Sequence, residues 1–233
     1  ESKLRVAGNM ISPEALMQRE FAKDYDYRIY QGQLYVWDAD HWEQWTGDGI
    51  NRLENVVFRK LSARIPEKLS SRLINSCIST IMASRLDDTR SIQEAEERRL
   101  MKEGLIVPTQ GKWIRLVPAE DALKYRLGVM TPDKGHFITY NIKVDMSGYA
   151  EGEYLPDMGI KGTLLEQYLT GTFKEHDYIK LFQDFAGYSL LKRNFAKKAL
   201  CFIGEGDSGK STALRMLELL HEPSKVHSMS LTQ

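Results

Sequence analysis

The sequence predicts a mixed fold: an α+β domain over residues 1–155, a helical segment over 156–193, and the opening of an α/β domain over 194–233. Three observations support this prediction. Amphipathic helical patterns and short alternating strands intermix in the first part of the chain. Glycine, proline and acidic residues then accumulate over 147–162, which is typical of a linker. Finally, an apolar run precedes a glycine-rich loop and a further helical pattern that begins near residue 210.

Composition limits the possible classes of protein. The 233 residues are 42% hydrophobic and 27% charged, which favours a globular chain over a disordered one. The formal net charge is zero, so any contact with nucleic acid requires a local basic patch. The apolar runs are too short to span a membrane, and we expect no membrane partner. Cys77 and Cys201 are too few for a disulfide framework, and we expect both to be buried thiols in a reducing compartment.

The first elements are predicted to be a helix and a small sheet. Ser12 is a preferred N-cap residue and Pro13 suits the first helical position, so a helix should run to about Lys23. The aromatic-rich stretch over 27–45 alternates and contains turn residues at 31–32, which predicts an antiparallel meander. Its tryptophans and tyrosines would either pack one face of the sheet or form a base-stacking platform. Packing is the favoured interpretation, since aromatic residues dominate such cores.

Two amphipathic helices are predicted next, over about 50–65 and from Pro66 to about Leu86. Their polar faces carry the densest basic cluster in the chain. The basic cluster consists of Arg52, Arg59, Lys60, Arg64, Lys68 and Arg72. It is the best candidate nucleic-acid surface in the sequence, although a solvated helix face is the simpler explanation. A charged helix is predicted to follow over 93–102.

Short strands are predicted over 105–108, 112–118 and 136–142, where apolar and β-branched residues lie between proline and glycine. One helical turn is expected near 119–125. Apolar residues at helical spacing then predict two short amphipathic helices between residues 164 and 190.

The most specific motif lies near the end of the sequence. The apolar run over 199–203 predicts a buried strand, and a helical pattern begins near residue 210. The intervening residues match the pattern G-x-x-x-x-G-K-[ST]. This phosphate loop consists of Gly204, Glu205, Gly206, Asp207, Ser208, Gly209, Lys210, Ser211 and Thr212.

Such a loop can bind the phosphates of a nucleoside triphosphate. Backbone N–H groups converge where side chains are small, and the helix N-terminus favours an anion. Lys210 is expected to contact the β- and γ-phosphates, and the Ser211 hydroxyl to ligate Mg²⁺; these are the two predicted catalytic residues. Glu205 and Asp207 add negative charge, so both should point into solvent. The predicted cofactors are ATP and Mg²⁺.

Three stretches resemble the phage, plasmid and poxvirus primase–helicases, whose motor is a superfamily 3 helicase of the AAA+ class. They lie at 37–42, from 107–113 onward, and at 164–204. In the third and most specific stretch, a helix ending in Gly-Tyr-small-Leu precedes the phosphate loop. The resemblance extends roughly over residues 27–220. The family usually has small residues and an asparagine where this chain has Asp207 and Ser208.

This resemblance implies part of an ATP-driven replicative DNA helicase of a virus or mobile element. ATP would bind between the subunits of a hexameric ring, with single-stranded or forked DNA as the partner and the host cytoplasm as the location. Residues 1–155 would form the accessory domain, 156–193 the collar, and 194–233 the start of the AAA+ ATPase. Since the later motor motifs are absent from these residues, we expect a fragment that is inactive alone and whose loop does not hold nucleotide.

Two other classes remain open. A P-loop kinase or GTPase shares the loop, although such enzymes usually begin with the strand that precedes it. A non-catalytic DNA-binding or scaffolding module is the second alternative. A hydrophobic strand ending in paired acidic residues after Gln233 would favour the helicase.

Overall fold

The computed structural model describes residues 4–6, 9–47, 50–84, 92, 94–96, 98–99, 104–118, 125–154, 159–191, 197–221, 223, 226–227 and 229. They form a mixed α+β architecture. The chain divides into two compact units. The first unit comprises Glu1–Arg99 and Lys134–Thr139, and the second comprises Leu100–Asp133 and Tyr140–Gln233. The domain boundaries predicted at residues 155 and 193 stay predictions.

The first unit begins with a hairpin and a capped helix. Strands β1 (Leu4–Val6) and β2 (Asn9–Ile11) pair in antiparallel fashion. Helix α1 (Pro13–Asp24) follows, and the Ser12 hydroxyl accepts a hydrogen bond from the Ala15 N–H at 3.2 Å. The predicted N-cap is confirmed, because this bond satisfies an amide that the first turn leaves without a helical partner.

The predicted meander is confirmed. It consists of the antiparallel strands β3 (Tyr27–Tyr30), β4 (Gln33–Asp38) and β5 (His41–Gln44). Gln31 and Gly32 have φ angles of 50° and 72°, which suit a two-residue hairpin whose twist matches that of the strands. Alternate residues of the meander enter the core of the first unit, namely Tyr27, Ile29, Leu34 and Val36.

Two further helices complete this core. The hairpin of β6 (Thr46–Gly47) and β7 (Ile50–Asn51) leads into α2 (Arg52–Arg64). A separate 3₁₀ turn occupies Pro66–Lys68, and α3 (Ser71–Ser84) begins after it, later than predicted. The apolar faces of α1, α2 and α3, with the C-cap residue Ile65 of α2, supply apolar side chains to the core: Met17, Phe21, Leu53, Val57, Leu61, Ile65, Ile74, Cys77 and Ile81.

Residues 134–139 form an irregular strap within the first unit. A strand was predicted in this part of the chain, and that prediction is wrong. The strap bonds to scattered partners instead of a ladder: the Ile138 carbonyl accepts from the Trp42 N–H at 2.7 Å, and the Glu96 carboxylate accepts from the Phe137 N–H at 3.1 Å. Its apolar residues reflect burial and not strand pairing. The charged helix predicted over 93–102 is helical at its described positions and otherwise lies outside the described residues.

A five-stranded sheet dominates the first half of the second unit. Its strands are β8 (Leu105–Gln110), β9 (Trp113–Pro118), β10 (Tyr125–Met130), β11 (Ile142–Asp145) and β12 (Gly152–Glu153). Their order is β11-β8-β9-β10-β12, with β11 parallel to β8 and the other neighbours antiparallel. Strand β10 was not predicted from the sequence: the helical turn expected near 119–125 ends at its first residue and otherwise lies outside the described residues.

Three helices form the rest of the second unit. They are α4 (Leu164–Phe173), α5 (His176–Ser189) and α6 (Lys210–Leu219), all at predicted places. Leu169, Phe182 and Ala213 form their buried core. Tyr168, Phe173, Leu200 and Phe202 are among the partly buried residues that pack against it. This small core holds the phosphate loop.

Candidate functional site

The phosphate loop leads directly into α6, as the motif predicts. Gly209 is the N-cap of α6 and has a φ of 85°, a left-handed conformation that glycine adopts without steric cost. A Cβ at Gly204 would lie 3.0 Å from Ser208 Oγ and 3.9 Å from Lys210 Nζ. Glycine at that position therefore keeps space open beside the lysine. An anion at a helix N-terminus needs such space to approach the backbone N–H groups.

The Lys210 ammonium group is folded back over this loop. Its Nζ donates to the Gly204 carbonyl at 2.9 Å, to Ser208 Oγ at 3.0 Å and to the Glu205 carbonyl. All three acceptors are uncharged oxygens. A phosphate would be a stronger acceptor, because its negative charge adds a Coulomb attraction to the ammonium that an uncharged oxygen lacks. The ammonium is thus preplaced where a phosphate group can replace loop oxygens.

The remaining loop side chains face solvent. Glu205 and Asp207 are exposed, which is the arrangement expected of carboxylates in an anion-binding loop. Ser211 and Thr212 are exposed on the first turn of α6, and Ala213 is fully buried beneath them. The Ser211 hydroxyl is therefore free of the core and is a hard oxygen ligand of the kind that Mg²⁺ prefers. The residues present fit a nucleotide with its metal ion.

Helix α4 supports the loop through two residues that sequence analysis did not select. The Tyr168 hydroxyl donates to the Gly209 carbonyl at 2.9 Å. A Cβ at Gly209 would lie 3.0 Å from Thr172 Oγ1. The spacing of Tyr168 and Thr172 places both on one helix face, and the sequence does contain that signal. It does not reveal that this face contacts the loop.

The strand predicted before the loop is absent, so that prediction is wrong. Residues 197–205 belong to none of the sheets in the described part of the chain. Leu200 and Phe202 turn toward the helical core, whereas Cys201 is exposed and Ile203 is 95% exposed. The segment lines an open groove of about 490 Å³ beside α4 and α5. An apolar sequence favours a buried strand only where neighbouring strands supply hydrogen bonds.

The basic cluster is divided by its contacts. Three members form ion pairs within the first unit: Arg52 with Glu43 at 2.5 Å, Arg64 with Glu20 at 2.5 Å, and Lys60 with Asp24. The hydrogen bond and charge of Lys60 lower the pKa of the Asp24 carboxyl below its ordinary value. Arg59, Lys68 and Arg72 are exposed. The six residues therefore do not act as one set of equally available cations.

The aromatic stretch packs the first unit, as favoured from the sequence. Tyr27 is 1% exposed and Trp42 is 3% exposed. The Phe137 ring of the strap lies 4.9 Å from the Tyr30 ring and 5.1 Å from the Tyr35 ring, centroid to centroid. Contacts at these distances are ordinary aromatic packing. Phe137 therefore packs against the rings of Tyr30 and Tyr35 within the first unit.

The two cysteines differ in their surroundings. Cys77 is fully buried, and burial raises the pKa of its thiol to about 11. It is therefore a thiol with little nucleophilic character near neutral pH. Cys201 is exposed, which corrects the expectation that both are buried. It lies in the apolar segment before the phosphate loop.

Comparisons with protein-family models and with curated proteins find no match for the chain. None of the helices in the described part of the chain combines the length and apolarity that crossing a membrane requires.

Proposed function

We propose that the phosphate loop binds the triphosphate of a nucleotide together with Mg²⁺. The observation that carries this proposal is the position of Lys210 Nζ, which is held over a glycine-containing loop by uncharged oxygens at a helix N-terminus. Lys210 contacts the β- and γ-phosphates in this proposal, and Ser211 supplies a hydroxyl ligand to the metal ion. Mg²⁺ at Ser211 would supply positive charge that offsets the negative charge of the phosphates.

The nucleotide site belongs, in our proposal, to an ATP-driven replicative DNA helicase of the primase–helicase type. The resemblance described above supports this, as do the two amphipathic helices α4 and α5 before the loop. Residues 1–155 are the proposed accessory domain, 156–193 the collar and 194–233 the start of the AAA+ ATPase. The full-length protein is proposed to assemble as a hexameric ring around single-stranded DNA in the host cytoplasm.

The central test is Lys210→Ala in the full-length protein, with Lys180→Ala as the matched control. Lys180 is an exposed lysine of α5 and lies outside the loop. ATP hydrolysis and strand separation on a forked DNA should fall about 100-fold or more in Lys210→Ala, because a charge that stabilises the reacting phosphates is removed. Lys180→Ala should match the wild type.

Retained ATP turnover in Lys210→Ala would contradict the nucleotide site. The kinase or GTPase class would be favoured by a different result. In that case Lys210→Ala loses ATP turnover, but the turnover of the wild type is neither stimulated by DNA nor coupled to strand separation. Size-exclusion chromatography with light scattering, with and without ATP, Mg²⁺ and single-stranded DNA, tests the ring separately.

A further inference from the structure

We infer that Tyr168 is a positioning residue for the phosphate loop: its hydroxyl orients the Gly209–Lys210 peptide so that the Lys210 N–H faces a bound phosphate. This inference rests on the proposed nucleotide function, and it names a part of the site outside the G-x-x-x-x-G-K-[ST] motif. The residue lies on α4, 42 positions before Lys210 in the sequence.

The Gly209 carbonyl oxygen has two donors. The Ala213 N–H donates to it at 3.0 Å as part of α6, and the Tyr168 hydroxyl donates to it at 2.9 Å from α4. A carbonyl oxygen has two lone pairs, so both bonds can be satisfied together. The peptide bond is planar and trans, so the direction of the Gly209 carbonyl fixes the opposite direction of the Lys210 N–H. That N–H belongs to the first residue of α6, and the N-terminus of a helix is where an anion binds.

Thr172 lies close to the same peptide and leaves little space for a side chain at Gly209. It lies one helical turn after Tyr168 on α4 and therefore on the same face. A Cβ at Gly209 would meet Thr172 Oγ1 at 3.0 Å, Thr172 Cγ2 at 3.2 Å and Tyr168 Cε2 at 3.5 Å. The chain at Gly209 is thus held by a hydrogen bond from α4, and the neighbouring Thr172 and Tyr168 side chains leave little space beside it.

The contact with α4 supports the loop where strand pairing does not, as judged from the described residues. The segment over 197–205 belongs to no sheet there, so the entry to the loop is not held by strand pairing. The exit at Gly209 is held by α4. The Tyr168 ring itself packs against the buried core of Leu169, Phe182 and Ala213, which limits its movement. Because binding and loop orientation are linked, a phosphate that needs this orientation should strengthen the contact between α4 and the loop.

The test is the affinity of the full-length protein for Mg²⁺ with a fluorescent N-methylanthraniloyl ATP, measured by anisotropy. Tyr168→Phe removes the hydroxyl and keeps the ring. Its dissociation constant should rise about three- to tenfold, the effect of losing one hydrogen bond. Tyr178→Phe is the matched control, since Tyr178 is 54% exposed on α5, and its affinity should stay at the wild-type value. Lys210→Ala should lose binding.

Urea unfolding without nucleotide separates positioning from folding. A purely structural role for the hydroxyl would lower the midpoint of unfolding and leave the affinity of the folded protein unchanged. If Tyr168→Phe binds as tightly as the wild type while Lys210→Ala does not bind, the inference is overturned and the proposed nucleotide site stands. If the wild type does not bind the probe, the proposed site itself fails, and the inference fails with it.

Discussion

Two sets of cations in this chain differ in what they contact. The basic cluster of the first unit has three members held by carboxylates, including Lys60 by Asp24. Lys210 of the second unit donates to three uncharged oxygens of its own loop. A carboxylate beside a cation offsets part of its charge and therefore weakens its attraction to a phosphate. A cation on neutral oxygens exchanges weaker acceptors for a stronger one.

The difference shows that the number of basic residues is a poor guide to an anion site. Six cations on two helices form the densest cluster in the sequence, yet half of them are already neutralised locally. A single lysine at the start of a helix, beside glycines, is better placed for a phosphate. The contacts of a basic side chain decide whether it is available to bind a phosphate. Contacts between residues distant in sequence cannot be read from the positions of the charged residues in the chain.

The largest effect expected on oligonucleotide binding separates the two halves of the basic cluster. Alanine at Arg59, Lys68 and Arg72 should weaken binding to a single-stranded oligonucleotide about tenfold or more in low salt, because each lost phosphate contact reduces the salt slope by roughly 0.7. The matched triple alanine variant instead replaces the three members of the cluster that form ion pairs with carboxylates. We expect it to change the slope much less. Fluorescence anisotropy between roughly 50 and 200 mM salt measures both.

Equal effects of the two triple variants would show that ion pairing does not decide availability. The absence of any effect in either would mean that the basic cluster is a solvated helix face. The paired variant removes Arg52, Lys60 and Arg64.

Local signals in the sequence predicted the elements that depend on local contacts. The Ser12 cap, the turn at residues 31–32 and the helix that begins at Lys210 each follow from residues within a few positions of one another. The strap and the segment over 199–203 were predicted wrongly, because strand formation depends on partners distant in sequence. The bond between Tyr168 and Gly209 spans 41 positions and left no local pattern.

A smaller effect compares two glycines of the phosphate loop. Gly209→Ala should destabilise the second unit by about 1–2 kcal/mol, the cost of a left-handed conformation for a residue with a Cβ, plus the contact with Thr172. Gly206→Ala is the control, because a Cβ there meets no atom within 4 Å. The midpoint of urea unfolding should fall for the first variant and stay near wild type for the second. Equal midpoints would contradict the close packing of α4 at Gly209.

The smallest effect concerns the pair of Lys60 and Asp24. Lys60 lowers the pKa of Asp24 in the folded protein, so the pair stabilises the fold above the ordinary pKa of the carboxyl. That contribution is lost as the pH falls through the lowered pKa. The difference in unfolding free energy between wild type and Lys60→Ala should therefore be small near neutral pH and should shrink below about pH 4. A difference that grows in acid would contradict the pairing.

Hydrogen exchange with mass spectrometry compares the two regions in one experiment on the full-length protein. Saturating Mg²⁺ and ATP should slow exchange of the amides over 204–213, because the phosphates are proposed to accept hydrogen bonds from backbone N–H groups there. Exchange over 52–72, which contains the basic cluster, should not change with nucleotide. Lys210→Ala should abolish the protection, and Lys180→Ala should keep it. Exchange over 204–213 that is unchanged by saturating nucleotide in the wild type would contradict the central claim that this loop binds a nucleoside triphosphate.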